Sequence, residues 1–582
     1  MEDCRSEVRD GMRIDWDVPI KMDDGLVLRC DVYRPVAEDK KYPAIMNYGP
    51  YAKWLHLMDG YPAQWKVMTE KFPETVQGTS NRYQNWEVVD PEKWVPEGYA
   101  CVRVDSRGAG RSPGFMEIWS PRETRDFYSC IEWAAGQPWC SGKVGLNGIS
   151  YYAMNQWFVA SLQPPHLAAI CVWEGAADLY RDMSHHGGMY SLFGETWSRD
   201  TVSMRQHGRG NRDFRSRING EWCTGPETLS NEELENNRSN YGQDLLDHPL
   251  IDDYWRARMP DFSKIDIPLL TAGNWGGVGL HPRGNTEGFM HAATRQKWLE
   301  MHGLDHFTHF YTDYGVALQK RFFGHFLKGE DTGWDKQPRV ALQVRHPGEK
   351  FVLRAENEWP LARTQWTKLY LNPGDFSLAA KAPPTEASAP YEALGEGLTF
   401  LAPPVERETE ITGPVAAKLF ISSETEDADL FLVLRVFNAE MREITFQGSN
   451  DAHTPVGLGW LRASHRKLDG GRTLPYRPYH THDERQPLKP GEVYELDIEI
   501  WPTSIVLPKG YRVGLSVRGK DYVYPGFEQP PMPMSGRVYF GVGPFRHDHK
   551  KDRPLELFGG RVTLHTGPNR PSHLLVPIIP AG

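Results

Sequence analysis

Along the first 172 residues, short buried hydrophobic runs alternate with a helical repeat. Phe127, Ile131 and Ala134 recur at helical spacing within residues 122–137. Strands are predicted at residues 27–35, 42–51, 143–150 and 167–174. Residues 98–114 begin with a further strand, which is followed by a Gly-rich loop. Because strands and helices alternate, we predict an α/β fold with a parallel sheet and crossover helices.

The pattern changes twice further along the chain. Residues 178–262 are rich in polar side chains and short helical stretches, and the sheet resumes at 266–275, followed by a helix (285–296), a strand (296–302) and a helix (315–329). Beyond about residue 350, short alternating runs separated by Pro and Gly are typical of an antiparallel sandwich or jelly roll. The predicted domains are a catalytic domain (1–176 and 263–350), an inserted helical cap (177–262) and a β-sandwich jelly roll (351–582).

Composition narrows the functional classes. The chain has 582 residues, 40% hydrophobic and 24% charged, which is typical of a globular protein. A net charge of −10 argues against a nucleic-acid or anionic-membrane surface, because both require clustered Lys and Arg. The acidic N-terminus does not resemble a signal peptide, so a cytoplasmic protein is expected. Seven cysteines without C-x-x-C spacing argue against disulfides and structural zinc.

One segment suggests a nucleophile. KVGLNGISYYAMNQW (143–157) predicts a strand, a tight turn at Ser150 and a helix. This is the setting of a nucleophile elbow, in which the serine hydroxyl is exposed at the carboxyl edge of the sheet and the next amide, here that of Tyr151, donates to an oxyanion. Tyr152 replaces the second glycine of G-x-S-x-G, so the match is incomplete unless the elbow is wider than usual.

Several further motifs carry a family resemblance. They are MDDGLVLRCDVYRP (22–35), GPYAK (49–53), DSRGAGRSPG (105–114), IEWAAGQPWCSGKVGLNGISY (131–151) and ADLYRD (177–182). With these motifs the chain resembles the serine hydrolases of the cocaine esterase, X-prolyl dipeptidyl peptidase and α-amino acid ester hydrolase group. The resemblance implies an α/β-hydrolase core with a helical cap and a jelly roll. It also implies that Ser150 attacks the acyl carbon while the Tyr51 hydroxyl donates to the oxyanion.

The general base is sought among the histidines after the last core strand. His302, His306 and His309 all lie in residues 296–310, where the order serine, acid, histidine places the base. The family pattern aligns with His306. Adjacent His185 and His186 point apart and lack further ligands, so no metal is predicted, and no cofactor is expected.

The acid departs from the family pattern. The family's aspartate falls on Gly276, which cannot orient an imidazole. Three carboxylates remain: Glu174 at the end of the next strand, Glu287 and Asp305. We favour Glu174, because neighbouring strands lie about 4.8 Å apart and a glutamate can span the shift.

These residues predict a serine carboxylic-ester hydrolase that forms an acyl-enzyme. An amidase, peptidase or acyltransferase using the same serine is the nearest variant. A non-catalytic hydrolase fold that binds a ligand is the alternative from another class, because the usual acid is missing. The expected partner is a small-molecule ester or amide, with no nucleic acid and no membrane; a homodimer stays open.

Overall fold

The computed structural model describes residues 5–525 and 541–580. In its N-terminal part the strands are β1 (Arg5–Arg9), β2 (Met12–Lys21), β3 (Val27–Pro35), β4 (Tyr42–Gly49), β5 (Ala100–Asp105), β6 (Cys140–Ile149), β7 (Leu167–Trp173), β8 (His185–His186), β9 (Met189–Tyr190), β10 (Leu269–Asn274), β11 (Lys297–His302), β12 (Val340–His346) and β13 (Lys350–Glu356). The α-helices there are α1 (Leu57–Gly60), α2 (Pro62–Lys71), α3 (Pro91–Trp94), α4 (Pro121–Ala135), α5 (Tyr151–Ala160), α6 (Leu192–Trp197), α7 (Asn231–Asn236), α8 (Tyr241–Asp247), α9 (Asp253–Arg256), α10 (Pro282–His291), α11 (Thr308–Tyr311) and α12 (Asp313–Phe323).

The predicted parallel sheet forms the centre of the first sheet. Its strand order is β1-β2-β3-β5-β4-β6-β7-β10-β11-β12-β13. The central strands of this sheet, β5, β4, β6, β7, β10, β11 and β12, pair with one another in parallel. Strands β1–β3 and β13 add antiparallel edges. Because parallel strands share one carboxyl edge, the ends of β6, β7, β10 and β11 meet there.

Helix α4 lies within two residues of its predicted bounds, whereas helix α10 is displaced. Helix α4 begins after Ser120, whose hydroxyl accepts the Glu123 N–H, and it buries Phe127 and Ile131 against the sheet. Helix α10 lies a turn earlier than predicted, because Pro282 starts it and the extended Ala292 ends it before the chain crosses to β11.

The second sheet contains β14 (Gln365–Asn372), β15 (Ser377–Ala379), β16 (Ala387–Glu392), β17 (Leu398–Leu401), β18 (Thr409–Ser423), β19 (Asp429–Phe437), β20 (Gly457–Arg462), β21 (Tyr494–Leu507), β22 (Arg512–Arg518), β23 (Arg561–Thr566) and β24 (His573–Ile579); the helix α13 (Leu555–Phe558) precedes β23. Its pairings are antiparallel except β15 with β17. Strand β24 pairs with both β14 and β18, so the sheet closes on itself like a barrel around an apolar core.

Between β7 and β10 the chain forms mainly short helices and the small β8–β9 hairpin. The polar composition of that stretch predicts short helices. The domain boundaries stay predictions. Within residues 5–525 and 541–580, no helix has both the length and the apolar composition needed to cross a membrane. The cysteines of these residues, from Cys30 to Cys223, are buried, and none of them forms a disulfide within the described part of the chain.

Candidate active site

Ser150 occupies a strained turn between β6 and α5. Its φ of 57° and ψ of −113° lie outside the regions that non-glycine residues normally adopt, and its amide donates to the Trp173 carbonyl at 3.1 Å. This is the backbone of a nucleophile elbow. Tyr151 follows as the first residue of α5, so its N–H has no partner within that helix.

Two glycines make room for Tyr152, which replaces the usual second glycine. Gly148 has φ of +155°, and a Cβ there would lie 2.5 Å from Cβ of Tyr152. At Gly49 a Cβ would lie 2.6 Å from the Tyr152 ring. The elbow therefore accepts the tyrosine because its neighbours, rather than position 152, lack side chains.

The Ser150 hydroxyl contacts a histidine that is absent from the sequence prediction. Ser150 Oγ lies 3.2 Å from Nε2 of His281, and Nδ1 of His281 accepts the Ala176 N–H at 3.2 Å. An accepting Nδ1 places the proton of a neutral imidazole on Nε2, so His281 donates to Ser150. Burial, and then the charge of His306, hold the pKa of His281 well below its usual range.

His306 lies between two buried carboxylates. Its Nδ1 lies 2.7 Å from Oε2 of Glu174, and its Nε2 lies 3.2 Å from Oε1 of Glu87. Burial alone would lower the pKa of His306, but Glu174 and then Glu87 raise it to about 10. Burial raises the pKa of Glu87. The structure thus brings together predicted Glu174 and His306, and adds Glu87.

Among the described contacts no hydrogen bond joins His306 to Ser150. The His281 ring contacts both residues: its Nε2 lies 3.2 Å from Ser150 Oγ, and its face stacks on His306 with 5.3 Å between ring centroids and 7° between planes. In this structure the Nε2 of the predicted base therefore faces Glu87 instead of the predicted nucleophile.

Glu174 follows β7 with a φ of 49°, and its amide donates to the Ala272 carbonyl of neighbouring β10 at 2.6 Å. Its carboxylate accepts four contacts, from His306 (2.7 Å), Asn274 (3.2 Å), His302 (3.3 Å) and Ser449 (3.3 Å). Although burial would raise its pKa, the two histidines hold the pKa of Glu174 far below its usual range. Glu174 is therefore an anion.

The competing acids have other partners. Glu287 accepts two hydrogen bonds from Arg477 at 2.7 and 2.6 Å. Asp305 accepts the backbone N–H groups of Phe307 and Thr308 and caps the following turn. Neither carboxylate is hydrogen-bonded to His306.

Tyr51 and Tyr151 flank the elbow. The Tyr51 hydroxyl accepts the indole N–H of Trp197 at 3.2 Å, and burial raises the pKa of Tyr51 well above its usual range, so the phenol keeps its proton. The Tyr51 ring lies 6.0 Å from that of Tyr151, whose own hydroxyl is bonded to Glu123 at 2.5 Å. Only the backbone N–H of Tyr151 is thus left for the predicted role.

Within the described residues, one buried group offers several metal-ligand atoms within 4.8 Å of one another: Glu300, His302 and His309. The two imidazoles stack at 4.4 Å and 27°, so the lone pairs in their ring planes run side by side instead of converging. Each imidazole is also hydrogen-bonded to Glu300. This is the geometry of hydrogen-bonded side chains, and we assign no metal to it.

Comparison with known proteins shows the family of the chain. The profile of the X-Pro dipeptidyl-peptidase (S15) family matches residues 24–308, and that of the X-Pro dipeptidyl-peptidase C-terminal non-catalytic domain matches residues 332–575. A CocE/NonD family hydrolase from Staphylococcus aureus superposes with a TM-score of 0.83 and 31% identity, over 98% of this chain and 94% of the other. The chain belongs to the CocE/NonD family of serine hydrolases.

Two more proteins are similar to the chain over nearly its whole length. The cocaine esterase of Rhodococcus sp. (strain MB1 Bresler) is 25% identical over 97% of this chain and 98% of that protein. An α-amino acid ester hydrolase, at 15% identity and a TM-score of 0.68, shares the fold over 98% of both chains.

The CocE/NonD chain described here has no space for the family's aspartate at position 276. A Cβ on Gly276 would lie 2.4 Å from Cα of Gly448, in a loop that precedes β20. The next residue of that loop is Ser449. Its carbonyl accepts the backbone N–H of His306 at 3.3 Å, and its hydroxyl donates to Glu174. The C-terminal part of the chain therefore contacts both His306 and Glu174.

Three residues of the site were not predicted from the sequence: Glu87, His281 and Ser449. Glu87 comes from the loop before α3, His281 precedes the first turn of α10, and Ser449 comes from the C-terminal part. One local signal exists for His281, which immediately precedes Pro282 at the start of a helix beside the catalytic edge. Nothing in the sequence near Glu87 or Ser449 marks either residue.

Proposed function

We propose that this serine hydrolase cleaves carboxylic esters through an acyl-enzyme on Ser150. The observation that carries the proposal is the strained elbow at Ser150, whose hydroxyl contacts His281. His281 in turn stacks on His306, which is hydrogen-bonded to the anionic Glu174. Ser150 Oγ attacks the acyl carbon and its proton passes to the base. The tetrahedral intermediate then expels the alcohol, which takes that proton from the base. Water next attacks the acyl-enzyme while the base takes a proton from the water, and the acid leaves as Ser150 recovers that proton.

His306 suits the base better than His281 does. A general base must accept the serine proton on Nε2 and carry the resulting positive charge. Glu174 at Nδ1 of His306 stabilises that charge, whereas His281 faces a backbone N–H at the same position. In this proposal the His306 imidazole leaves Glu87, turns about its Glu174 hydrogen bond and takes the Ser150 proton.

Tyr51 and the Tyr151 amide are the proposed oxyanion donors. The indole N–H of Trp197 occupies a lone pair of the Tyr51 oxygen, which leaves the phenolic proton free to point elsewhere. Each such donor is worth about 10²–10³ in kcat when it faces the developing charge.

The strand order and the closed second sheet support the finer fold assignment: an α/β-hydrolase core, a helical cap over residues 177–262 and a C-terminal jelly roll. A cavity of about 480 Å³ in the insertion is lined by Ile118, Glu195 and Tyr241 among others. The Trp119 ring contacts both Tyr241 and Trp197, and Trp197 reaches Tyr51. We propose that this cavity receives part of a small-molecule substrate, and we keep a cytoplasmic location as a proposal.

Covalent labelling tests the nucleophile. A fluorophosphonate probe should add one adduct mass to the wild-type protein and none to Ser150→Ala. Ser161→Ala, at the other end of α5, should label like wild type. Equal labelling of Ser150→Ala would exclude Ser150 as the reactive serine. Turnover of a p-nitrophenyl ester against the matching p-nitroanilide then separates esterase from amidase activity, and faster anilide turnover would overturn the ester assignment.

A further inference from the structure

Behind Glu174 a row of buried polar side chains continues away from Ser150. His302 Nε2 lies 3.3 Å from Oε1 of Glu174, and His302 Nδ1 lies 2.6 Å from Oε2 of Glu300. The exposed fractions are 0% for Glu174 and His302 and 1% for Glu300. The row therefore runs His306, Glu174, His302, Glu300 without contact with solvent beyond His306.

Strand geometry places these side chains together. Glu300 and His302 are two residues apart on β11 and so point to the same face of the sheet. Strand β10 lies between β11 and β7, and His302 is in register with Asn274, which also donates to Glu174. The row thus crosses the carboxyl ends of three neighbouring strands.

Charge explains why such a row is stable. A buried carboxylate without a cation is costly, and the row contains two carboxylates with His302 between them. Burial would lower the pKa of His302, but Glu300 and Glu174 raise it to about 9. In the same way the pKa of Glu300 falls to about 2 despite its burial, because of the charge of His302 and the hydrogen bonds from His302 and His309. A cationic His302 therefore bridges two anions.

We propose that His302 and Glu300 are positioning residues that hold the Glu174 carboxylate in place for His306. This inference rests on the proposed function, because it assigns Glu174 as the acid that orients the base. The usual acid position at Gly276 is closed, so the carboxylate comes from β7 instead. There it needs an anchor on the side opposite to His306, and His302 supplies it, with Glu300 fixing the His302 ring.

The test uses the full-length protein and compares His302→Gln with His309→Gln. Both imidazoles are buried and stacked on each other, and both contact Glu300, but His309 has no hydrogen bond to Glu174. Burial holds the pKa of His309 below its usual range, so its replacement removes no charge. A loss that arises only from disturbed packing should affect both variants alike.

His302→Gln should lower kcat roughly 10- to 100-fold, the usual loss when a side chain that orients a functional residue is removed. It should leave KM within about twofold. The acid limb of kcat/KM should move to higher pH by about one pH unit, because a positive charge near His306 is lost. The other charged or titratable groups that face these two histidines are Glu174, Glu87, His281, Glu300 and His309.

Glu300→Gln should lower kcat less, because a neutral His302 still donates to Glu174. The double variant should be no slower than His302→Gln alone, since residues that act as one unit are not additive. Equal kcat for His302→Gln and His309→Gln, or losses that multiply in the double variant, would overturn the proposal. Fluorophosphonate labelling of Ser150 in each variant keeps that outcome distinct from failure of the proposed function.

Discussion

Ser150 lies in a stretch where strand β6, the turn and helix α5 follow one another, whereas His306 receives its carboxylates from residues 132 and 219 positions away. The nucleophile side, residues 148–152, is thus built locally. The base side, His306 with Glu174, Glu87 and Ser449, is assembled from three loops and the C-terminal part of the chain. The local unit accommodates Tyr152 because Gly148 within it and Gly49 of neighbouring β4 lack side chains, while the assembled unit depends on distant packing.

The largest expected effect is on the base side. Glu174→Gln should lower kcat by about 10⁴-fold, because the amide cannot stabilise the His306 cation. Glu287→Gln is the control: it should lower stability by breaking the Arg477 contact but leave kcat within a few-fold. Comparable kcat losses in both variants would contradict the choice of acid.

On the nucleophile side, Tyr51→Phe should lower kcat by about 10²–10³-fold with little change in KM, because one oxyanion donor is lost. Tyr152→Phe removes a hydroxyl from a ring 5.7 Å away and should retain wild-type turnover. If Tyr51→Phe keeps full activity, the oxyanion is held by other groups.

Glu87→Gln tests how the base is controlled. A base must be neutral to accept a proton, and Glu87 helps to raise the pKa of His306. Wild-type kcat/KM should therefore have its acid limb well above pH 6.5, the ordinary value for histidine. Glu87→Gln should move that limb to lower pH and raise activity near pH 7 by about tenfold for each pH unit that the limb moves. An unmoved limb, or a limb at higher pH, would contradict this role.

The smallest effect concerns the C-terminal contact. Ser449→Ala removes one hydrogen bond to Glu174, worth about 0.5–1.5 kcal/mol, and should lower kcat by roughly two- to tenfold. Ser464→Ala, which removes a bond to Asp427 elsewhere in the C-terminal part, should leave kcat unchanged. Identical kcat for the two variants would mean that the loop only packs against the site.

Much of the fold could be predicted because its signals are local. Strand β3 has the predicted bounds, and β7 and β11 differ by one residue at one end. Helix α10 was displaced in the prediction because its apolar positions do not show that Pro282 starts it. The closure of the second sheet through β24 is a pairing between strands far apart in the chain, which alternation of side chains cannot reveal.

The same distinction divides the site residues. Glu174 was predicted because it ends the strand next to that of the nucleophile, and the order of parallel strands is readable from the chain. His302 was predicted only as a candidate base, yet its contacts are with two glutamates. Glu87 has no signal in the sequence, and His281 has only the following Pro282. The positions of both depend on how loops pack over the sheet edge and not on any periodicity.

In the proposed mechanism His306, and not the histidine that contacts Ser150 in this structure, acts as the base. The direct test compares His306→Gln with His281→Gln in the rate of fluorophosphonate labelling of Ser150 at saturating probe. We expect His306→Gln to label slower by about 10⁴-fold or more, and His281→Gln to lose no more than about tenfold. A collapse of labelling in His281→Gln with near-normal labelling in His306→Gln would contradict the account.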